Sequence, residues 1–187
     1  MRQFRLNGPQ AANKSSMKPN PANGLCLQCG LCCDGSLFAD VELAARETTA
    51  LEVLGLEIED GEKREPALLL LPCAAFKRKR CSIYPHRPDC CRTFECRLLK
   101  QVESGAISID RAEEKIGNAF KEIARLKVLM AQLGQRDERL SLKERCNEAL
   151  ALSSDLTDDP QMSRKRADLK IAITRVQNLL QNTFLGG

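Results

Sequence analysis

The chain has 187 residues, a formal net charge of +4 and a hydrophobic content of 43%, with 4% aromatic residues and no tryptophan. This length allows one domain or two small ones, whose core must be built mostly from aliphatic side chains. No apolar run approaches the roughly 20 residues that cross a bilayer, so we expect no membrane-spanning helix.

The first segment, residues 1–22, is basic and carries no acidic side chain; its cationic residues are Arg2, Arg5, Lys14 and Lys18. Several Pro, Asn and Gly residues accompany them, which predicts a disordered basic tail. The segment has no apolar run, so it does not resemble a secretory signal peptide, and we expect a cytoplasmic protein with reduced cysteines. Phe4 is the one aromatic residue here, and such a pattern makes nucleic-acid binding unlikely.

The second segment, residues 23–104, holds nine of the ten cysteines. In a reducing compartment this density indicates metal binding rather than disulfide formation. The adjacent pairs agree, because neighbouring cysteines bridge each other only with strain; these pairs are Cys32–Cys33 and Cys90–Cys91.

The local patterns of this segment predict a series of short elements. Residues 24–35 should form a compact loop that turns at Gly30. Residues 40–54 favour a helix that ends at a glycine, and the four leucines at 68–71 favour a short buried strand. The basic run 77–80 predicts a polar turn, and a helix is expected from Pro88 to about residue 103.

The cysteine spacing at the start of the segment is typical of a metal site. Cys26, Cys29 and Cys32 follow one another at intervals of three, so their thiolates can meet at one ion or cluster. Four thiolates form a closed tetrahedral zinc site or hold an iron–sulfur cluster. The spacing leaves the fourth ligand open, and the candidates are Cys73, Cys81, Cys91 and Cys96.

The full cysteine pattern of residues 24–97 resembles a bacterial cysteine-cluster family that is described as a zinc- or iron-chelating domain. The resemblance begins with the Cys-x2-Cys-x2-Cys-Cys run that ends at Cys33, followed by Pro72-Cys73. It continues with Cys81-Ser82-Ile83-Tyr84, Arg87-Pro88 and Cys91-Arg92-Thr93-Phe94-Glu95-Cys96.

This resemblance implies eight cysteine ligands: Cys26, Cys29, Cys32, Cys33, Cys73, Cys81, Cys91 and Cys96. They divide into two four-cysteine sites, or into one cluster plus other roles. Tyr84 is expected to line the site. Arg87 and Arg92 are expected to lie around the ligands and to offset the negative charge of the thiolates. Cys90 and Cys146 are extra to the motif, and His86 is expected at the surface. The Cys-x2-Cys-x2-Cys run favours an iron–sulfur cluster over zinc.

The third segment, residues 105–187, predicts three amphipathic helices. Asp110 should cap the first, whose apolar seam is Ile116, Ala119, Ile123, Leu126, Met130 and Leu133. Gly134 should end it. A capping box of Ser141 and Glu144 should open the second helix, and Pro160 the third. The apolar side of the third is Leu169, Ala172, Ile173, Val176, Leu179, Leu180 and Phe184.

We therefore expect a mainly α fold, with a cysteine-rich unit at 23–104 that has little β structure and a helical bundle or hairpin at 105–187. The function expected is binding of an iron–sulfur cluster or zinc, with association with a protein partner or a second copy through residues 105–187. The alternative is an iron–sulfur-dependent enzyme that modifies a protein or peptide, because a related cysteine cluster occurs in flagellin lysine methylases.

Overall fold

The structure is a computed structural model that describes residues 21–61, 66–152 and 160–186. The predicted disordered tail lies outside the described residues, apart from its last two positions, where the first helix begins. The mainly α fold with little β structure is confirmed.

The first half of the described chain contains both helices and strands, and the second half contains helices alone. The helices are α1 Pro21–Cys29, α2 Thr48–Val53, α3 Asp89–Thr93, α4 Arg97–Glu103, α5 Ile109–Gln132, α6 Leu142–Leu152 and α7 Pro160–Leu180. The strands are β1 Asp40–Leu43, β2 Ile58–Glu59, β3 Ala67–Leu70, β4 Phe76–Lys77 and β5 Arg80–Cys81. A 3-10 turn covers Tyr84–His86, and a π-helical turn, Gln181–Leu185, follows α7.

The strand predicted from the leucine run is confirmed as β3, the centre of an antiparallel sheet with the order β1-β3-β2. Its Leu69 pairs with Val41 of β1 and with Ile58 of β2. Leu69 is also 1% exposed and belongs to a small core with Leu51 of α2 and other aliphatic residues. The sheet therefore joins three separate segments of the cysteine-rich region.

The predicted polar turn is the tip of a hairpin formed by β4 and β5. Phe76 pairs with Cys81, and Lys77 pairs with Arg80. The two central residues are in the left-handed region, with φ values of 51° at position 78 and 61° at position 79. Such a turn matches the twist of an antiparallel hairpin.

Two predictions for the first half were wrong in detail. The expected loop at 24–35 begins as helix α1, because Leu25 is buried in the large core and its packing outweighs the weak local preference. The expected helix at 40–54 starts instead with strand β1, and only its second part is helical, as α2. Val41 lies opposite Leu69, so pairing with β3 decides its conformation.

Two helix boundaries also differ from the prediction. The helix expected from Pro88 to residue 103 is broken, since Phe94 is extended with ψ 120° and Cys96 caps the next helix. Helix α5 is capped by Ser108 rather than Asp110, because the Ser108 hydroxyl accepts a hydrogen bond from the Arg111 amide at 3.2 Å.

The other helix positions predicted for the second half are confirmed. All six seam residues of α5 are buried. Ser141 and Glu144 form the capping box: Glu144 Oε2 accepts from the Ser141 amide at 2.9 Å, and Ser141 Oγ accepts from the Glu144 amide at 3.3 Å. Helix α7 begins at Pro160. On its predicted apolar side, five residues are buried and Ala172 and Leu179 pack partly buried against the core.

One large core receives side chains from both halves of the chain. Leu31 and Leu98, from the cysteine-rich region, are buried together with Leu126 of α5, Ala149 of α6 and Val176 of α7. The predicted division near residue 105 therefore passes through a shared core, and separate folding of the two segments stays a prediction. No helix in the described ranges has both the length and the apolar character to cross a membrane.

Candidate metal centre

The first four cysteines lie on α1 and on the turn that follows it. Cys26 and Cys29 are three residues apart on the helix, so they lie on the same side. Gly30 ends the helix with φ +68°, and its carbonyl accepts hydrogen bonds from the Cys33 amide at 2.8 Å and the Asp34 amide at 3.0 Å. This tight turn brings the second pair of cysteines back beside the helix end.

The turn has room for no side chain at Gly30. A Cβ atom built there would lie 2.3 Å from Cζ of Phe76, which projects from β4. Two features therefore require glycine at this position: the positive φ and the close approach of the aromatic ring. Phe76 was not among the predicted site residues, although it is the one aromatic residue between the cysteines at 73 and 81.

Two further cysteines approach the turn from the β3–β5 region. The Cys73 amide donates a hydrogen bond to the carbonyl of Cys33, with an N–O distance of 2.9 Å. The Cys73 carbonyl then accepts from the Phe76 amide at 2.8 Å, which closes the turn into β4. Cys81 lies directly across the hairpin from Phe76. Backbone hydrogen bonds thus position both cysteines.

Short helices present the last two predicted ligands. Cys91 is on α3, whose first residue, Asp89, donates its amide to Glu47 Oε1 at 2.9 Å. Cys96 is the N-cap of α4, and its Sγ accepts a hydrogen bond from the Leu99 amide at 3.4 Å. The break between α3 and α4 therefore lets these cysteines point in different directions.

Four thiols form what we call the first cysteine group: Cys26, Cys29, Cys32 and Cys96. Burial, with smaller contributions from the charges of the other three thiols, raises the pKa of Cys29 to about 12. Burial also raises the pKa of Cys26 to about 11, again with contributions from Cys96 and Cys32. These contributions indicate that the four thiols lie close enough to affect one another's pKa.

The other four predicted ligands form the second cysteine group: Cys33, Cys73, Cys81 and Cys91. The pKa of Cys33 is raised by its hydrogen bond with Cys32, by burial and by the charges of Cys32, Cys91 and Cys73. The pKa of Cys73 is raised by burial, with a contribution from Cys81. These four residues come from four different stretches of the chain.

The two groups adjoin at one pair of neighbouring thiols. Sγ of Cys32 and Sγ of Cys33 are 3.8 Å apart. The hydrogen bond between them lowers the pKa of Cys32 and raises that of Cys33. A bound cation would reverse this effect, because a coordinated thiol loses its proton.

The donor chemistry of both groups fits zinc or iron, since each offers four soft thiols. Their spacing is wider than that of a closed site: in the described ranges, no three His, Cys, Asp or Glu side chains are grouped closely enough to hold one ion. The thiols that would hold a metal would therefore need to draw together around it.

The three residues predicted to surround the ligands contact one another. The Arg87 guanidinium lies 3.8 Å from the centre of the Tyr84 ring, and Arg92 Nε donates to the Arg87 carbonyl at 2.6 Å. The positive charge of Arg87 lowers the pKa of both Cys26 and Cys32. Arg87 is thus placed to favour thiolates in this group.

Of the three residues left out of the predicted ligand set, Cys90 adjoins the second cysteine group and the other two lie elsewhere. Cys90 packs partly buried against the small core under the sheet, and its hydrogen bond with Cys91 lowers the pKa of Cys90 and raises that of Cys91. Cys146 is 7% exposed within the large core, with its Sγ 3.8 Å from Sδ of Met130. His86 is exposed at the end of the 3-10 turn. The choice of eight ligands over these three residues stays a prediction.

Comparison with known proteins places this cysteine pattern in a known group. Residues 25–147 match the family model CxxCxxCC, described as "Putative zinc- or iron-chelating domain". The matched range includes both cysteine groups and extends through α5 into α6. No curated protein and no solved structure matches the chain.

Proposed function

The chain belongs to the CxxCxxCC family, and from that premise we propose that it binds metal at two separate sites, an iron–sulfur cluster at the first cysteine group and a zinc ion at the second. The observation that supports this proposal is the placement of the cysteines on the backbone. Three of the first group lie on α1 and the turn after it, and α1 contacts α4, which begins after Cys96; in the second group the Cys73 amide donates to the Cys33 carbonyl.

The first group has the features of a cluster site. Three of its cysteines come from one helix and the turn after it, with the Cys-x2-Cys-x2-Cys spacing that cuboidal clusters favour. Cys26 is exposed, so this group is close to solvent. An iron–sulfur cluster near the surface supplies electron transfer or iron sensing. Arg87 offsets the negative charge that four thiolates bring together.

The second group has the features of a structural site. Its members come from the turn after α1, the loop after β3, strand β5 and helix α3, so one ion there would join four stretches of chain. The neighbouring core is small: Leu43, Leu51, Leu56, Leu69 and Ala75. Closed four-thiolate zinc sites contribute folding free energy in such units, on the order of 10 kcal/mol.

The test is metal analysis of full-length protein purified without oxygen, followed by single Cys→Ser variants. We expect iron, sulfide and zinc in the unaltered protein, with broad absorbance near the violet end of the visible range. Cys96→Ser should lose iron and sulfide but retain zinc. Cys81→Ser should lose zinc but retain iron. Cys90→Ser is the matched control and should retain both, because Cys90 packs under the sheet.

Other results would contradict specific parts of the proposal. Colourless protein with two zinc ions and no iron would replace the cluster with a second structural zinc site. Loss of both metals in Cys96→Ser and Cys81→Ser alike would contradict the division into two sites. Loss of metal in Cys90→Ser, with none in Cys91→Ser, would show that the ligand of the adjacent pair is Cys90.

We also propose that residues 105–187 mediate association with a second copy of the chain. The seam of α5 is buried within the chain itself, so a partner would have to cover other apolar residues; Val128 is 56% exposed and Ile171 is 61% exposed. Sedimentation of the metal-loaded protein tests this. A dimer that Val128→Glu dissociates supports the proposal, and a monomer at all concentrations contradicts it.

A further inference from the structure

A small cavity lies behind the second cysteine group, on the side toward α5 and α6. Its volume is about 180 Å³. Its walls include Asp34 and Ser36 from the turn after Cys33, Pro72 immediately before Cys73, and Lys127 and Arg145 from the helices. The two halves of the chain therefore meet around it.

Arg145 is the unusual residue of this cavity. It is 5% exposed, and its Nε atom has no hydrogen-bond partner among the described residues. A buried guanidinium nitrogen without a hydrogen-bond partner loses its hydration and gains no bond in exchange, which is costly to the fold. The guanidinium lines the cavity, where a bound molecule could accept its hydrogen bonds.

The nearby carboxylates do not neutralise Arg145. Asp34 is engaged with the Ser36 amide at 2.9 Å and interacts electrostatically with Lys127. Arg145 contributes less than Arg139 does to lowering the pKa of Asp137. That carboxylate accepts hydrogen bonds from Arg139 instead, from Nε at 3.0 Å and from Nη2 at 2.7 Å. Among the described residues, Arg145 therefore forms no ion pair.

Glu138 is the other carboxylate of the cavity wall, and its side chain is exposed to solvent. Water screens an exposed charge, so this group contributes little to a buried guanidinium. The cavity wall thus carries two acidic and two basic side chains, and the feature that favours a bound anion is the unpartnered Nε of Arg145.

We propose that this cavity binds a small oxyanion, a carboxylate or a phosphate, whose oxygens accept hydrogen bonds from the Arg145 guanidinium. The planar guanidinium offers paired donors that match such oxygens, and Lys127 adds a second positive charge. The volume admits a molecule of only a few non-hydrogen atoms beyond the anionic group. This site is independent of the metal proposed for either cysteine group.

The alignment of the cavity wall depends on contacts between the two halves. The Leu142 amide donates to the Gly35 carbonyl at 2.9 Å, which joins the start of α6 to the turn after Cys33. A Cβ atom at Gly35 would lie 3.1 Å from Cα of Ser141 and 3.2 Å from the nitrogen of Pro72. These close approaches hold Arg145 opposite the turn, so the site exists only in the folded chain.

The experiment is titration of the full-length, metal-loaded protein with inorganic phosphate and, separately, with sodium acetate, at constant ionic strength set by NaCl. We expect a saturable rise in Tm with at least one of the two anions, and their relative affinities show whether phosphate or carboxylate is preferred. Arg145→Gln should weaken the apparent affinity at least about tenfold, since it removes charge-assisted hydrogen bonds.

Arg136→Gln is the matched control, because Arg136 is exposed, carries the same charge and lies outside the cavity wall. It should bind like the unaltered protein. If Arg145→Gln does not fold, Lys127→Gln replaces it and should weaken binding several-fold. The proposal is overturned if neither anion raises Tm saturably, or if the cavity variant that folds and the control bind equally well.

Discussion

The backbone amide of Cys73 donates a hydrogen bond to the carbonyl oxygen of Cys33, and both residues belong to the second cysteine group. The bond joins the turn after α1 to the loop after β3 through the main chain alone. The bond uses only main-chain atoms, so both thiols remain available as ligands. It also keeps the two residues close together before any metal is bound. Metal binding at this group would therefore begin from a partly assembled site, which lowers the entropy cost of closing it.

The first prediction concerns the turn that carries this relationship. Gly30→Ala should lower the free energy of unfolding by roughly 1–3 kcal/mol, because alanine is strained at φ +68° and its Cβ would overlap the ring of Phe76. Metal content should fall with it, since the turn positions Cys32 and Cys33. Denaturant unfolding and metal analysis of the same samples provide the measurement.

Gly24→Ala is the control for this substitution. Gly24 is in α1, and a Cβ atom there meets nothing within 4 Å. Alanine in a helix should raise stability, by at most about 1 kcal/mol. Equal unfolding midpoints for Gly30→Ala and the unaltered protein would show that the turn can relax around a side chain.

The second prediction concerns the charge beside the first cysteine group. Arg87→Gln should weaken metal retention there by roughly 10- to 100-fold, because the guanidinium favours the thiolate forms of Cys26 and Cys32. Competition with a chelator, followed by absorbance, measures the change. His86→Gln, one residue earlier and exposed, should have no effect. If both variants release metal at the same rate as the unaltered protein, Arg87 serves only to cover Tyr84.

The third prediction concerns the core that both halves share. Leu126 is 1% exposed, and Leu126→Ala should cost about 2–5 kcal/mol. Leu31 and Leu98 belong to the same core, so we expect unfolding of the helices and release of metal to occur in one transition. This outcome differs from the separate folding of residues 105–187 that the sequence suggested.

Helical circular dichroism and visible absorbance, recorded along one denaturant series, distinguish these cases. Coincident curves indicate one cooperative unit. Lys121→Ala is the control on the same helix, since this side chain is exposed and should change stability by less than about 0.5 kcal/mol. Metal that stays bound after the helices have unfolded would instead support the division near residue 105.

The sequence predicted those features that depend on local chemistry. The seam of α5, the capping box of Ser141 and Glu144 and the start of α7 at Pro160 follow from helical period and cap preferences, and all are confirmed. The strand at the leucine run is also confirmed. A short apolar run bounded by prolines is typical of a buried strand.

The features that the sequence could not predict depend on contacts between distant residues. Strand β1 exists because Val41 meets Leu69, and a single sequence does not show this pairing. The grouping of Cys32 with Cys96, and of Cys33 with Cys91, likewise requires the fold. Neither Lys127 nor Arg145 belongs to a recognisable motif, so the sequence alone could not predict the cavity that they line.

The last prediction concerns Cys146, which lies in the large core away from both cysteine groups. Burial raises the pKa of its thiol from the usual 9.0 to about 11. Its thiolate is thus disfavoured in the folded state relative to the unfolded state. The resulting stabilisation is fully present below about pH 9, and it is lost as the pH rises toward 11.

Denaturant unfolding of the unaltered protein and of Cys146→Ala, at about pH 8 and about pH 10.5, measures this contribution. The unaltered protein should lose about 2 kcal/mol more than the variant across this interval. Groups common to both proteins, including any metal-bound thiols, cancel in the difference. A difference between the two proteins that does not change with pH would show that the thiolate of Cys146 is tolerated in the core, through water entry or through the nearby charge of Arg145.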